Sequence, residues 1–397
     1  MSSRENRRNV PNVIPSEVEG SKTENSKQKN KEMKKLFFIA AIAGVALASC
    51  TKNEVVETTP DQLITFSTPV VGNLTKVVAG EVGVNYDKNE KFNVYGWYCE
   101  ADNFTPSEAV LYMDGVTVQH TPDINVDADA GTAGAWAPVT AYYWPKNGKL
   151  TFSAFSPADA TVDATSVTCD VTNGLTISSF TVKEDPAEQY DLLYSDRAYN
   201  KTSSLGETND VYDGVDLQFR HALSSIHVKV KTDMTYPEGT ITINKIELQN
   251  VYNTADFKES LVNGTETESN STAKWVGHYN SNAVVLGKTD QEAVYDAAKY
   301  GTTAILIPQV FDHAKDGITT LYIEYTIKNA DNTSIKQRAS FKLNEYTGEI
   351  DGTDVGLISQ WVKGYRYTYN ITIGLAQIYF APTVENWKDI DVTFPQI

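Results

Sequence analysis

The sequence has 397 residues, which is enough for two domains of ordinary size, and 41% of them are hydrophobic. Its 34 basic and 51 acidic residues give a net charge of −17 at pH 7. Because so acidic a chain repels phosphate groups, we expect no nucleic acid among its partners.

Residues 1–32 are polar and rich in Ser, Asn, Glu, Lys and Arg, without hydrophobic periodicity. A segment of this composition cannot bury enough apolar surface to fold, so the sequence predicts a disordered extension. An export signal that starts at its own Met-Lys-Lys follows directly. A second interpretation is therefore that translation begins at Met33 and that residues 1–32 come from a wrongly assigned start.

Residues 33–49 have the features of a secretion signal. A basic start is followed by thirteen apolar or small residues, too few to span a bilayer, and by Leu-Ala-Ser before Cys50. This ending resembles a bacterial lipobox, which predicts cleavage before Cys50, acylation of its thiol and anchoring in the outer membrane. Residues 50–62 are then expected to be a flexible tether. A plain signal peptide or an uncut apolar segment is the alternative.

The rest of the chain has a hydrophobic period of two, which is typical of half-buried β-strands. Gly, Asn and Asp interrupt it at short intervals, as they do in β-sandwich domains. The clearest alternating sets, with polar residues between, are Ile226, Val228 and Val230; Ile241 and Ile243; Leu321, Ile323, Tyr325 and Ile327; and Tyr369, Ile371 and Ile373.

One short helix is expected near residue 290. Thr289 and Glu292 have the spacing of a capping box, small apolar residues follow at helical intervals, and Gly301 is placed to end the helix. Polar, turn-rich residues 201–214 suggest a domain boundary. The predicted organisation is an N-terminal β-sandwich over residues 63–213 and a C-terminal β-sandwich over residues 214–397.

Aromatic residues cluster in one stretch, and it allows two interpretations. Trp136, Tyr142, Tyr143 and Trp144 could form an exposed platform for a host glycan or protein. Such rings more often cover the end of a β-sandwich core, which is the interpretation that we favour. Two cysteines follow Cys50 in the chain, Cys99 and Cys169, and they could form one disulfide or remain buried thiols.

Catalytic motifs are scarce. The sequence contains no phosphate-binding or dinucleotide-binding glycine loop, no zinc-protease motif and no nucleophile elbow. An acidic run over residues 123–129 resembles the start of a calcium loop, but Ala128 stands where Gly is needed and Gly134 where Glu is needed. We therefore predict that the protein is not an enzyme and needs no cofactor or metal.

Seven segments carry short aromatic and apolar motifs in a definite order: LITF at 63–66, KFNVYGW at 91–97, AYYWP at 141–145, LTFSAF at 150–155, LQFRHALSSI at 217–226, GYRYTYNI at 364–371 and IYFAPTVENW at 378–387. Together with the lipobox, they resemble the fimbrillin-like (Mfa-like) lipoproteins of Bacteroidales, which are subunits of the type V pilus. The resemblance implies two tandem transthyretin-like β-sandwich domains in a cell-surface fimbrium.

The resemblance also implies assembly with other pilus subunits by strand exchange, in which a protease removes the first strand and a terminal strand of the next subunit replaces it. The matching positions here are the removable strand over residues 63–68 with Ile64 and Phe66, a cleavage site at Lys76, and a donor strand with Ile390, Val392 and Phe394. Members of the family often have Arg at the cleavage site. The alternative is a monomeric surface lipoprotein that binds glycans, in which both terminal segments are ordinary strands.

Overall fold

The protein is represented by a computed structural model. It describes residues 56–71, 84–121, 135–203, 214–233, 239–259, 273–287, 291–293, 300–314, 316–350, 353–374 and 378–386. The described residues from Glu57 onward belong to one compact unit. In this part of the chain, no helix is long and apolar enough to cross a membrane.

Most strands in the first half of the chain are short. In chain order they are β1 Thr58–Leu63, β2 Val70–Val71, β3 Val84–Asn85, β4 Lys91–Cys99, β5 Val110–Thr121, β6 Ala135–Pro138, β7 Tyr143–Pro145, β8 Lys149–Ser156, β9 Ser166–Asp170, β10 Gly174–Thr181, β11 Leu193–Ser195 and β12 Ala198–Lys201.

The second half has longer strands. They are β13 Gln218–His221, β14 Ser224–Thr232, β15 Gly239–Lys258, β16 Lys274–Gly287, β17 Gln291–Ala293, β18 Tyr300–Leu306, β19 Thr320–Asn329, β20 Ser334–Lys342, β21 Thr347–Ile350, β22 Thr353–Leu357, β23 Tyr365–Ile373 and β24 Ile378–Asn386. The helical elements described are short 3₁₀ turns at Ala158–Asp163, Pro186–Glu188 and Leu343–Glu345.

The described strands form four sheets. A nine-stranded sheet has the order β3-β2-β13-β11-β8-β4-β5-β6, with β12 also beside β8. A seven-stranded sheet has the order β20-β19-β15-β10-β9, with β16 and β17 also paired to β15. A six-stranded sheet has the order β18-β14-β23-β24-β21-β22, and β1 pairs with β7 alone. The all-β prediction is confirmed.

The predicted period of two matches the burial of several strands. In β14, Ile226, Val228 and Val230 are at most 1% exposed, and the residues between them are half-buried. Ile241 of β15 and Ile371 of β23 belong to the same large core, which contains residues between positions 95 and 384. Because this core joins the seven-stranded and six-stranded sheets, the two sheets pack as a β-sandwich.

The nine-stranded sheet is buried on both faces in its middle. On β8, Phe152 belongs to an N-terminal core of residues between positions 64 and 219, whereas Phe155 belongs to the large core. On β4, Phe92 and Trp97 are divided between the two cores in the same way. Burial on both faces explains why every residue of β8 after Lys149 is buried, with no alternation between a buried and an exposed face.

The helix predicted near residue 290 is wrong for the described part of that stretch. Gln291–Ala293 is the strand β17, which pairs antiparallel with Ile241, Thr242 and Ile243 of β15, and Tyr300 begins β18. Pairing with the long strand β15 outweighs the local capping pattern of Thr289 and Glu292.

Two boundaries predicted from the sequence, the end of the tether at residue 62 and the domain division at residues 213 and 214, can be compared with the observed strands. Residues 58–62 of the expected tether belong to β1, because Tyr143–Pro145 supplies a pairing partner. The division into domains at residues 213 and 214 stays a prediction. Strands β9 and β10 precede it but pair within the seven-stranded sheet, while β13 follows it and pairs within the nine-stranded sheet.

Candidate functional site

Residues 64–67, which we call the entry segment, lie in extended form between two other parts of the chain. On one side, the Ile64 N–H donates to the Tyr142 carbonyl at 2.8 Å, and the Phe66 N–H donates to the Trp136 carbonyl at 2.8 Å. The Trp136 N–H donates back to the Phe66 carbonyl at 3.3 Å. This reciprocal pair is an antiparallel bridge between Phe66 and Trp136.

On its other side, the entry segment bonds to the chain just before β13. The Val215 N–H donates to the Thr65 carbonyl at 2.8 Å, and the Ser67 N–H donates to the Val215 carbonyl at 3.1 Å. The Ser67 hydroxyl donates to Asp216 Oδ1 at 2.6 Å. Phe66 and Val215 form a parallel bridge. The entry segment therefore fills the gap between residues 136–142 and residues 214–217 and is hydrogen-bonded to both stretches.

Gly214 allows the close approach of these two backbones. Its φ is +113°, and a Cβ at this position would lie 2.4 Å from the carbonyl carbon of Phe66 and 2.5 Å from the nitrogen of Ser67. Real Cβ atoms do not come so close to backbone atoms, so a side chain here would displace the entry segment.

The side chains of the entry segment fill the N-terminal core. Ile64 is 1% exposed and Phe66 is fully buried. The Phe66 ring meets the rings of Phe92 and Phe152 edge to face, with centroid distances of 5.8 and 5.5 Å. Burial of two such side chains removes a large apolar area from water and so stabilises the entry segment in the groove.

Short strands flank the entry segment. On the N-terminal side, β1 pairs with β7, and Lys146 forms an ion pair with Glu57 at 3.0 Å. Both side chains of this pair are more than half exposed, so it adds little stability. On the C-terminal side, β2 lies between β13 and β3.

Other predicted site residues lie outside the described residues. They are Cys50, Lys76, Ile390, Val392 and Phe394. The described chain stops at Val71 and resumes at Val84, on either side of Lys76. Of the predicted strand-exchange residues, the structure therefore places Ile64 and Phe66 alone, and it brings them together in one groove.

The aromatic cluster forms a wall of this groove. Trp136 and Trp144 are each 1% exposed, so their rings are inaccessible to a sugar in this structure. Tyr142 and Tyr143 are half-buried, and their role in ligand binding stays a prediction. The Tyr112 hydroxyl donates to the Tyr143 carbonyl at 2.6 Å, and burial raises the pKa of Tyr112 to about 12.

Cys99 and Cys169 are free thiols in this structure. Cys99 is buried on β4, and Cys169 lies on β9 in the seven-stranded sheet. Burial raises the pKa of the Cys169 thiol, which keeps it in the less reactive protonated form. The stability of the fold therefore rests on its two cores.

Sequence reasoning did not find the residues that receive the entry segment. Gly214 ends the turn-rich stretch over residues 201–214, and no sequence pattern marks Val215 or the backbone of Trp136 as a partner of Phe66. The bridge between Phe66 and Val215 joins positions 149 residues apart, and the bridge to Trp136 spans 70 residues. No local pattern in a single sequence reports such a pairing.

A family model described as fimbrillin-like matches residues 75–387. Among solved structures, a fimbrial protein from Bacteroides vulgatus is 16% identical, with a TM-score of 0.48, covering 83% of this chain and 100% of that one. A fimbrilin from Porphyromonas gingivalis is 14% identical, with a TM-score of 0.42, covering 85% and 100%. The search of curated proteins found no match.

Proposed function

This chain belongs to the fimbrillin-like family, and we propose that it is a structural, non-catalytic subunit of a cell-surface pilus. The observation that carries the proposal is the entry segment, a short stretch near the start of the folded part that fills a groove in the N-terminal core. In the proposed sequence of events, proteolysis removes this segment and a strand of another subunit takes its place.

The interactions of the entry segment suit a replaceable strand. Five backbone hydrogen bonds connect it to its neighbours, each with a net value of about 0.5–1.5 kcal/mol. Full burial of Ile64 and Phe66 adds about 1.5–3 kcal/mol for each side chain. An open groove would expose the rings of Phe92 and Phe152 and two unpaired strand edges, and such a surface favours capture of another strand.

Lys76 is the proposed cleavage site. Cleavage there would separate β1, the entry segment and β2 from the rest of the chain. Because β2 pairs with Gln218 and Phe219 of β13, its departure would lengthen the open edge. A head-to-tail contact of this kind does not close on itself and therefore produces a filament.

The export steps of the proposal rest on the signal and on Cys50. Acyl chains on Cys50 would hold the precursor at the outer membrane, because each buried CH₂ adds about 0.8 kcal/mol. Cleavage at Lys76 would then free the subunit from its lipid anchor. Retention of the lipidated segment would instead make the subunit an anchor of the pilus.

Limited proteolysis tests this function. Residues 51–397 are treated with trypsin under native conditions, and the products are examined for a cut at Lys76 and for a ladder of oligomers resistant to SDS. We expect Lys76→Ala to abolish both the cut and the ladder. Lys88→Ala, which changes an exposed lysine in a turn after β3, is the matched control and should change neither.

Removal of residues 388–397 separates cleavage from assembly. The shortened chain should still be cut at Lys76 but should remain monomeric, because it has lost the proposed donor strand. A ladder of the same extent from this chain, or from Lys76→Ala, would contradict the proposal.

A further inference from the structure

We propose that residues 123–129 of a second copy add as an antiparallel strand to residues 336–342 of β20. This contact goes beyond the proposed function, because it joins subunits side by side and needs neither cleavage nor the groove of the entry segment. Its occupant is the acidic run of the sequence, which the proposed assembly does not use.

Strand β20 is an open edge of the seven-stranded sheet. It ends the order β20-β19-β15-β10-β9, and it pairs with β19 without a register shift. On the side away from β19, none of the described strands pairs with it. A regular strand with one free edge offers its backbone N–H and C=O groups to an added strand.

The side chains of β20 are accessible along most of its length. Phe341 is buried and Ala339 is half-buried, whereas all the other residues of the strand are exposed. An added strand would therefore meet polar side chains on one face of β20 and would extend the cover of Ala339 and Phe341 on the other face.

Three cations lie on the outer face of β20. Lys336, Arg338 and Lys342 are spaced by two and then four residues, so they point to the same side of the sheet. Arg338 Nε lies 3.5 Å from Glu324 Oε2, and Lys342 Nζ lies 3.3 Å from Glu345 Oε1. The side chains of both cations are more than half exposed, so they remain accessible to an added strand.

These cations disfavour pairing of β20 with the β20 of a second copy. A twofold axis between two such edges keeps the outer faces of both strands on the same side. Every antiparallel register of this kind that pairs five or more residues of the strand puts one cation directly opposite another. Like charges in this position are destabilising, so the edge requires an acidic partner.

The acidic run has the complementary spacing. Asp123, Asp127 and Asp129 are spaced by four and then two residues, which is the reverse of the order of the cations. An antiparallel strand therefore brings all three aspartates opposite the three cations, and a parallel strand cannot. The pairs are Asp123 with Lys342, Asn125 with Ser340, Asp127 with Arg338 and Asp129 with Lys336 on the outer face, and Ile124 with Phe341, Val126 with Ala339 and Ala128 with Gln337 on the inner face.

Two other acidic triplets share this spacing, within residues 345–351 and 385–391. Glu349 of the first lies in β21 and pairs with β22, and Glu385 of the second lies in β24 and pairs with β23. Adding either triplet to β20 would take a residue out of an existing sheet. Residues 123–129 lie outside the described residues, and their alternation of polar and apolar residues favours a strand.

The place of the run in the chain favours a second copy as its source. Thr121 of β5 pairs with Ala135 of β6, at one edge of the nine-stranded sheet. Because these two residues are adjacent, the stretch between them extends at most about 25 Å from the edge and back.

Strand β20 lies far from the place where the nine-stranded sheet contacts the seven-stranded sheet. Arg197, between β11 and β12, donates to the Val171 and Asp170 carbonyls beside β9 and β10, at 2.7 and 3.2 Å. On β15, β10 pairs with residues 254–258, whereas β19 pairs with residues 239–249. The centres of these two stretches are about 40 Å apart along an extended strand, which exceeds the reach of the acidic run.

A contact through exposed ion pairs is weak and depends on salt. Two isolated subunits would therefore associate only briefly. Filaments that repeat the contact along their length would bind side by side, because many weak contacts then act together.

Disulfide trapping in the uncleaved chain tests the register. Asn125→Cys and Ser340→Cys are introduced into two separately tagged chains of residues 51–397, which are mixed and oxidised. Directly opposite residues of an antiparallel pair have Cα atoms about 4.5–5.5 Å apart, within the range of a disulfide. We expect a heterodimer, and about 1 M salt should lower its yield at least about fivefold.

Ala128→Cys mixed with Ser340→Cys is the register control, because residue 128 lies on the other face and opposite residue 337. This mixture should give no more heterodimer than chains without an introduced cysteine. Absence of the Asn125–Ser340 heterodimer, or an equal yield from Ala128→Cys, would overturn the register.

Charge exchange tests the ion pair between Lys336 and Asp129. Lys336→Glu in the Ser340→Cys chain should lower the heterodimer yield at least about fivefold, and Asp129→Lys in the Asn125→Cys chain should restore it. Lys328→Glu, which reverses an exposed cation of β19 outside the register, is the matched control and should change the yield less than about twofold. A yield that Asp129→Lys does not restore would overturn this pairing.

A chain that carries both Asn125→Cys and Ser340→Cys tests the source of the strand. A disulfide that forms within this chain at every concentration, with no heterodimer in the mixed chains, would overturn the second-copy assignment. Because every chain in these experiments keeps its entry segment, a negative result leaves the proposed strand exchange intact.

Discussion

Phe66 and Phe257 are both fully buried, and each lies between two other stretches of chain. Their backbone pairing differs. Phe257 is part of β15, which pairs with β10 on one side and with β16 on the other, with register shifts in both ladders. Phe66 takes part in two isolated bridges, to Val215 and Trp136.

Two equally buried rings can therefore lie in segments that differ in how readily they detach from the fold. Side-chain burial stabilises both rings. The strand of Phe257 is in addition hydrogen-bonded to a neighbouring strand on each side, whereas the segment of Phe66 has isolated bridges. The entry segment can detach as a local unit, because its departure breaks few backbone hydrogen bonds. Strand β15 can detach only if the seven-stranded sheet unfolds. This difference is what a replaceable strand requires.

The largest effect is expected in the permanent strand. Phe257→Ala removes a ring packed between Tyr194 and Trp275 at 5.1 and 5.3 Å. We expect a loss of about 3–5 kcal/mol in the free energy of unfolding. Chemical denaturation of residues 51–397 measures it, and a loss below about 1 kcal/mol would show that this region is not the rigid member of the pair.

Phe66→Ala is the matched substitution in the entry segment. Because the segment can detach while the rest stays folded, we expect a smaller global loss of roughly 2 kcal/mol. Hydrogen exchange at the Ile64 amide should become much faster, while the amides of β15 keep their protection. A global loss equal to that of Phe257→Ala, with no local loosening, would remove the distinction between the two regions.

Gly214→Ala should displace the entry segment from the side on which it bonds to Val215. A new Cβ meets the Phe66 backbone at 2.4 Å, and we expect a loss of about 1–3 kcal/mol with faster exchange at residues 64–67. Gly277→Ala is the control, because Gly277 also has a positive φ, +65°, but has nothing within 4 Å of its Cβ position. Equal exchange in both variants would assign the effect to backbone strain alone.

Mild acid should weaken the large core slightly and leave the groove unchanged. His313 is 7% exposed, its Nε2 bonds with the Thr319 hydroxyl at 2.8 Å, and burial lowers its pKa despite the nearby Asp312 and Asp316. Because the folded state favours neutral His313, its stabilisation is present above the unfolded pKa of about 6.5 and is lost as pH falls further.

His313→Gln measures this contribution, because an amide can bond to Thr319 but cannot gain a proton. Between pH 7.5 and 5.0 the wild type should lose stability relative to the variant, while exchange at Phe66 stays the same in both. Parallel pH profiles of the two proteins would contradict the assignment.

Alternation in β14 and β23 was predictable because buried residues on one face of each strand alternate with half-buried residues on the other. The same reasoning predicted that Ile64 and Phe66 form one apolar face. The helix predicted near residue 290 was wrong at Gln291–Ala293, where pairing with β15 outweighs the local helix pattern. The capping-box spacing there describes a preference of an isolated segment, and the long strand beside it changes the outcome.

The groove itself could not be predicted. It depends on the φ of Gly214 and on bridges from Phe66 to residues far along the chain. The aromatic cluster at Trp136 was noticed for its rings, whereas its contribution to the groove includes backbone N–H and C=O groups, which every residue except proline carries. Sequence patterns reflect the chemistry of side chains, and they do not indicate which backbone edges pair with each other.

The Val215 amide reports most directly whether the groove is occupied, because its N–H donates to the Thr65 carbonyl at 2.8 Å. Hydrogen exchange at this amide should be slow in the precursor, fast in the cleaved chain after the entry segment has been removed, and slow again in the oligomer. An amide that stays protected after residues 51–76 have gone, or that stays fast in the oligomer, would contradict replacement of the entry segment by a donor strand.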